Sequence, residues 1–404
     1  MFNTNTIKRF KSLDTPFYYY DLNVLRETLD TCTNAAAKYG FHVHYAMKAN
    51  FNPRVLDMIR SYGIGADCVS GNEVKAAIEH GFGKDRIVFA GVGKSDKEIN
   101  SALDADIFCF NVESVQELFI INDLAKAKNK TASVAIRINP NVDAHTHHFI
   151  TTGLDENKFG INSWQLPEVI DALRKCASLK FLGIHFHIGS QITDMEVYKN
   201  LCTRINEMQD WFADHGFEVK LLNTGGGLGV DYHHPDGDIA DFESYFKVFK
   251  DFLNVKPGQE VHFELGRALV AQCSALISRV LYVKNGQKKN FLVLDAGMTE
   301  LIRPMLYQAY HQIENLSSQS ESQKVRKSES KNVEPSHVSN LKSHILKYDV
   351  VGPICESTDC FQKDVDMPES HRGDLIAIRT TGAYGEVMAS SYNLRDRVGS
   401  VYSE

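Results

Sequence analysis

No two cysteines stand at C-x-x-C spacing. The eight thiols fall at 32, 68, 109, 176, 202, 273, 355 and 360, which indicates neither a zinc ribbon nor a disulfide framework, so they are expected to be reduced and mostly core filler. An excess of basic charge is also missing. The net charge of -7 leaves no positive field for gripping nucleic acid or an anionic membrane, and small molecules are the better class of partner. Long apolar runs are absent. The uncharged stretch Ala268 to Ser278 is bracketed by Arg267 and Arg279 and falls far short of the ~20 residues that cross a bilayer. The opening MFNTNTIKRFKSLDTP has basic residues but no apolar run behind them, so no secretory signal or membrane anchor is expected and the cytoplasm is the expected compartment.

What is present is an ordinary globular composition, 43% hydrophobic and 24% charged over 404 residues. That length is too great for one usual compact core, and it fits two or three domains or one large barrel with a smaller partner. From residue 41 short β-rich runs ending in Gly, Asn or Ser recur: FHVHYAMKAN, GADCVS, RIVFAG, IFCFNVES, SVAIRINP, FLGIHFHIGS, VKLLNTGGG and VHFELGR. Helix-like stretches such as 53–62, 71–80, 115–128, 166–176, 195–215 and 242–253 lie between them. Eight strands alternating with helices predict an α/β fold, a (β/α)8 TIM barrel.

After Arg267 the texture changes to β-like runs without long helices (ALISRVLYVK, KNFLVLDAG, YDVVGPIC, DLIAIRTTGAY). A second, mainly antiparallel β domain is expected there. The strand-like TPFYYYDL near the start is free to join it. The predicted organisation is a barrel over 22–268 and a β domain from 1–21 plus 269–404. Within the latter, 317–343 carries nine serines and eight charged residues with almost nothing apolar, which cannot support packing and reads as a flexible Ser-rich insertion.

In such barrels the chemistry projects from the carboxyl ends of the strands. The first predicted strand ends in Ala-Met-Lys-Ala-Asn, with Lys48 at the mouth. Most lysines are solvated surface charges, but a desolvated lysine at a barrel mouth loses its proton more readily and can condense with an aldehyde, as pyridoxal phosphate requires. The seventh ends in Thr-Gly-Gly-Gly, and Gly225, Gly226 and Gly227 could wrap backbone amides around a phosphate; a flexible turn is the plainer alternative. The sixth carries His185 and His187 on one face, then Ser190. That H-x-H pair could bind metal, lay one imidazole against a cofactor ring, or simply be satisfied in the core. A metal-dependent barrel hydrolase is therefore the competing enzyme class, although it lacks evident carboxylate partners. The eighth gives Glu264-Leu265-Gly266-Arg267. A carboxylate beside a pyridine nitrogen would keep it protonated and favour loss of CO2, whereas a Glu264–Arg267 surface ion pair is the plainer reading.

These stretches, with NPNVDAHTHHFITTGLDENKFGI, LIRPMLYQAYH, YDVVGPICESTD and the region around Tyr384, resemble the fold-type-III pyridoxal-phosphate decarboxylases, and within them the diaminopimelate decarboxylases, across nearly the whole chain. The resemblance implies decarboxylation of meso-2,6-diaminopimelate to L-lysine with pyridoxal 5'-phosphate as cofactor. Lys48 would hold the cofactor covalently, His187 would stack on its ring and Glu264 would meet the pyridine nitrogen. Ser190, Gly225 to Gly227, Gly266, Arg267 and Tyr384 would complete its site. Arg267, Arg303 and Tyr307 would bind substrate carboxylates, Glu356 the distal amino group, and Tyr384 would lie beside both molecules. Cys355 would be the catalytic proton donor; Cys360 reads as an ordinary thiol.

The resemblance also implies a homodimer in which Cys355 and Glu356 serve the neighbouring subunit's barrel. A usual Glu-Pro-Gly-Arg reads Glu-Leu-Gly-Arg here, keeping both charges, and the insertion is longer than the family leads one to expect. The competing readings are a decarboxylase of ornithine, arginine or a carboxylated polyamine, where Cys-Asp would stand for Cys355-Glu356, and a non-catalytic pyridoxal-phosphate-binding homologue. No metal ligand set is expected, the histidines at 145, 147 and 148 included.

Overall fold

The computed structural model describes residues 1–142, 158–318 and 344–403. The histidines at 145, 147 and 148 and all but the first two residues of the Ser-rich stretch lie outside the described residues. The chain divides into two compact units. One comprises Arg26–Val230 and Asp238–Leu269; the other comprises Met1–Leu25, Asp231–Gly237 and Val270–Glu404.

The strands are β1 (Phe17–Tyr20), then the eight of the first unit: β2 (His42–Ala46), β3 (Gly65–Cys68), β4 (Ile87–Phe89), β5 (Cys109–Val112), β6 (Ala132–Arg137), β7 (Leu179–His185), β8 (Leu221–Asn223) and β9 (Glu260–Leu265). β2 to β9 close in sequence order into a parallel barrel, and each corresponds to one of the β-rich runs. Helix starts follow local capping chemistry. Ser70, Ser114 and Asp194 each accept a backbone N–H of the first helical turn that would otherwise lack a partner. Ser95 and Glu98 form a reciprocal capping box that opens Asp96–Ala105, a helix not singled out among the helix-like stretches.

The barrel closes where β2 pairs with β9, in the register His42 with His262, His44 with Glu264 and Tyr45 with Leu265. Phe263 on β9 sits 4.9 Å, ring centre to ring centre, from both Phe246 and Phe249 of the helix Phe242–Phe252. Edge-on aromatic contacts of this kind add about 0.5–1.5 kcal/mol each beyond area burial, so the last helix is fixed to the closing strand. Below the mouth, at the amino-terminal end of this seam, His44 and His262 are buried. Burial pulls His44 down to about 4, and burial with the neighbouring His44 and His42 pulls His262 down to about 2, so both rings are neutral near pH 7.

The second unit holds a mixed, mostly antiparallel sheet built from β10 (Ser274–Asn285), β11 (Asn290–Leu294), β12 (Ile313–Asn315), β13 (Ile345–Val351), β14 (Cys360–Pro368), β15 (Leu375–Ile378) and β16 (Ser400–Tyr402). The spatial order is β12-β15-β10-β11-β13-β14, with β1 joined to β10 and β16. The parallel exceptions are β1 with β16 and β11 with β13. The N-terminal TPFYYYDL thus enters this sheet, as its β character suggested. The short segment Asp231–Gly237 groups with this unit through chemistry the sequence does not advertise. Arg379 binds both oxygens of Asp236, and His233 stacks on Tyr310 at 4.2 Å. Ser317 and Ser318 cap against Asn315, so they belong to the ordered sheet edge.

Candidate active site

The carboxyl ends of the barrel strands converge on Glu264. Its Oε1 accepts from Asn111 Nδ2 at 2.8 Å and Asn223 Nδ2 at 2.7 Å, and its Oε2 accepts from His185 Nε2 at 2.9 Å. β5, β7, β8 and β9 therefore each supply one member of a buried polar cluster. Burial alone would raise the Glu264 carboxyl, but His185, which also hydrogen-bonds it, and Lys48 outweigh burial and hold the group below the usual carboxylate range. Glu264 is an anion. Arg267 turns instead to Ser190, whose Oγ accepts from its Nη2 at 3.1 Å and Nε at 3.3 Å, so the plain reading of a Glu264–Arg267 pair gives way to two separate assignments.

The H-x-H pair is divided in the same way. His185 faces Glu264, whereas His187 Nδ1 accepts the backbone N–H of Gly226 at 3.3 Å. Desolvation and the nearby Lys48 and Arg137 cations drive His187 well below the ordinary imidazole range. It is a neutral ring with its proton on Nε2. Among the described residues no cluster with metal-ligand spacing includes either histidine.

The glycine run is demanded by packing. A Cβ on Gly226 would lie 1.8 Å from the Glu264 carbonyl, and one on Gly225 would lie 2.2 Å from that of Phe186. Gly225 donates its amide to Asn223 Oδ1, and Gly226 to His187. The loop is thus a tight, side-chain-free cradle in which part of the amide array is already committed to orienting the site. A Cβ on Gly266 would lie 3.1 Å from the Cβ atoms of both Ala46 and Ala49.

Lys48 projects from the short 3-10 turn Met47–Ala49 that follows β2. Its Nζ stands 3.8 Å from Asp67 Oδ2 at the end of β3. Asp67 is buried and neither carboxylate oxygen has a hydrogen-bond partner among the described residues. Burial raises it well above the usual carboxylate range, Glu264 adds to the rise, and Lys48 opposes it. Asp67, Asn111 and Asn223 were not anticipated. The available signal was position: each is the last or next-to-last residue of a barrel strand, the end at which barrels carry their chemistry. Arg137 and Glu113 form a further buried pair at 2.7 Å, with Glu113 also accepting the amides of Gly91 and Gly160.

The second unit carries the other anticipated residues. Arg303 opens the short helix Arg303–Tyr307; it is buried, donates to Tyr232 Oη at 2.9 Å and lies over that ring. Tyr307 is partly exposed at the end of the same helix. Cys355 and Glu356 are exposed on the loop between β13 and β14. Asp359 shapes that loop by accepting the amides of Met298 and Ile354, each at 2.7 Å. Glu356 accepts from Tyr392 Oη at 2.5 Å. Tyr384 has φ 57, a left-handed conformation that costs a bulky residue of order 1 kcal/mol and marks functional positions.

A parallel barrel with a lysine at the mouth, an ionised carboxylate held by a histidine and two asparagines, and a glycine cradle has the donor set that pyridoxal phosphate needs: an amine, an anionic partner for the ring nitrogen and a surface free of side chains for the phosphate. Residues 25–271 match the family described as the pyridoxal binding domain of pyridoxal-dependent decarboxylases. The chain is 55% identical to a diaminopimelate decarboxylase of Bacteroides thetaiotaomicron over 96% of both chains, and 39% identical to one of Neisseria meningitidis over 97% of this chain and 90% of that one. Its structure resembles that of Helicobacter pylori diaminopimelate decarboxylase complexed with L-lysine, with a TM-score of 0.87 at 36% identity, covering 98% and 94% of the two chains. The chain belongs to the diaminopimelate decarboxylase family.

Proposed function

We propose that this protein removes CO2 from meso-2,6-diaminopimelate to give L-lysine, the last step of lysine biosynthesis. The observation that carries the reaction class is the Glu264 cluster: an ionised carboxylate, fixed by three donors and buried at the barrel mouth, suits a protonated pyridine nitrogen and hence an electron-withdrawing ring. The substrate follows from the relatives, each named for diaminopimelate.

Pyridoxal phosphate, when bound, supplies a conjugated sink for the electron pair left when CO2 departs. Lys48 Nζ holds it covalently and Asp67 orients that amine. Glu264 keeps a proton at the pyridine nitrogen, and neutral His187 offers a flat face to the ring without adding a second cation. The glycine cradle with Ser190, Gly266 and Arg267 holds the phosphate. Arg303, with Arg267 and Tyr307, receives carboxylates, for which a planar guanidinium gives two parallel hydrogen bonds. Glu356 receives the distal ammonium, Tyr384 flanks cofactor and substrate, and Cys355 Sγ delivers the proton that replaces CO2 on the α-carbon. The exposure of Cys355 and Glu356 on a single chain suits a homodimer in which the partner subunit's Cys355 serves this barrel. Eight unpaired cysteines and the absence, among the described residues, of a helix able to cross a membrane favour the cytoplasm.

The test is release of CO2 and lysine from meso-diaminopimelate by purified protein with added pyridoxal phosphate, beside ornithine, arginine and L-lysine. Turnover confined to diaminopimelate is expected. Preference for another amino acid would retain the cofactor chemistry and overturn the roles of Arg303 and Glu356.

A further inference from the structure

At the amino-terminal end of the barrel, far from Lys48 along the same strands, the closing pair β2 and β9 brings three ligating side chains together. Suitable atoms of His42, Glu260 and His262 all lie within 4.8 Å of one another, with His42 and Glu260 exposed and His262 buried.

The hydrogen bonds around His262 decide where its proton sits. His44 Nδ1 meets the backbone carbonyl of Arg86 at 3.1 Å, and a carbonyl can only accept, so His44 carries its proton on Nδ1. Its bare Nε2 then faces His262 Nδ1 at 2.8 Å, which makes Nδ1 the protonated atom of His262 as well. His262 Nε2 is the ring nitrogen left for an outside partner, and it faces Glu260 Oε2 from 3.2 Å. With the lone pair on that nitrogen, two acceptors face each other and gain nothing from the contact.

A cation between them changes the sign of the contact. With zinc about 2.0–2.2 Å from a histidine nitrogen and a carboxylate oxygen, tetrahedral coordination sets those two atoms roughly 3.3–3.6 Å apart, a few tenths of an ångström wider than the 3.2 Å between them here. The chain from Arg86 carbonyl through His44 to His262 is also the outer-shell support that metal-binding histidines use: it fixes the tautomer and makes the ligating nitrogen more basic. Gly65 leaves room for it, since a Cβ there would lie 2.5 Å from both His44 Nδ1 and the Arg86 carbonyl. Phe108 stacks on His262 with an interplanar angle of 9°, shielding that ring, while exposed His42 lies on the open side with its ring centre 4.8 Å from that of His262.

We propose that His42, Glu260 and His262 bind one divalent first-row cation, zinc by preference, which clamps β2 to β9 at the floor of the barrel. Two imidazoles and one carboxylate suit zinc, cobalt or nickel far better than calcium or magnesium, which take oxygen ligands. Three protein ligands leave a position open to water. Its lining has no place in the decarboxylation chemistry, so the ion's effect is on the stability of the closed barrel.

The experiment uses the pyridoxal-phosphate-loaded enzyme, freed of metal with a chelator and dialysed, and titrated with zinc by calorimetry while thermal unfolding is followed. The comparison is the double variant His42→Asn/Glu260→Gln, whose changes lie at exposed positions, together with His42→Cys, which keeps a zinc ligand. One zinc per chain, a rise in Tm with zinc, a loss of affinity of about tenfold or more in the double variant, retention in His42→Cys and equal CO2 release by all the metal-free proteins are expected. Equal zinc stoichiometry, affinity and Tm response in the wild type and the double variant would overturn the proposal, as would failure of the wild type to bind zinc at 100-fold excess.

Discussion

Lys48 Nζ lies 3.8 Å from the carboxylate of Asp67, whose two oxygens have no hydrogen-bonding partner among the described residues. Because burial raises the Asp67 pKa above its unfolded value of about 3.9, the group favours the folded state at low pH and loses that contribution as pH rises through its folded value. Asp67→Asn removes this loss. The gap in apoenzyme Tm between variant and wild type should widen in the variant's favour from pH 4 to pH 8, while attachment of pyridoxal phosphate weakens; a gap that does not change with pH would mean that Asp67 is already ionised in the fold.

Glu264→Gln keeps an acceptor for the two asparagines but removes the anion. CO2 release should fall by on the order of 10²-fold, the size expected for losing one preorganised electrostatic partner, with cofactor still bound and its visible absorbance shifted. Steady-state rates and the holoenzyme spectrum check this, and wild-type turnover by the variant would dismiss Glu264 as the ring-nitrogen partner.

Arg303→Lys preserves charge but loses the planar fork and its stacking on Tyr232. KM for diaminopimelate should rise roughly 10- to 100-fold, from about 1.5–3 kcal/mol per charged hydrogen bond, with a smaller effect on kcat. Steady-state kinetics that leave KM untouched would remove Arg303 from the substrate site.

Lys48→Ala and Cys355→Ala should each be inactive alone. If sites are shared across a homodimer, mixing the two after reversible dissociation gives hybrids with one intact site, and about a quarter of wild-type activity should return. No recovery in verified hybrids would place Cys355 in its own subunit's site.

His44 is neutral in the fold and its value lies near 4 instead of 6.5. Its contribution is complete above pH ~6.5 and is lost as pH falls toward 4, about 1.4 kcal/mol per pH unit and about 3 kcal/mol in all. Chemical denaturation of metal-free wild type from pH 7 to pH 4 should show this slope on top of that from His262, and His44→Gln should flatten the total by about one proton.

The barrel was legible because each strand is a short apolar run closed by Gly, Asn or Ser, and because segments of helical period lie between those runs. Lys48, His187, Glu264 and the glycine run were visible at strand ends for the same reason. Asp67, Asn111 and Asn223 were not: a single polar residue in a strand of three or four carries no periodic signal, and its meaning lies in what faces it from strands far along the chain. β14 went unread since its charged residues Lys363, Asp364 and Asp366 interrupt any apolar run on a strand with much of its surface exposed. The grouping of Asp231–Gly237 with the β unit rests on Arg379 and Tyr310, about which local sequence says nothing.

The β2–β9 seam also sets when this protein can first exist as an enzyme during its own synthesis. His44 and His262 meet although 218 residues separate them, and Glu264 comes from the last barrel strand to leave the ribosome. Until that strand emerges, Lys48 belongs to an open sheet with an unpaired edge, and Glu264, the proposed partner of the cofactor's ring, is missing. Capture of pyridoxal phosphate is therefore a late event that reports completion of the ring, and a nascent chain halted before Glu260 exposes the edge of β2 to aggregation or to chaperones.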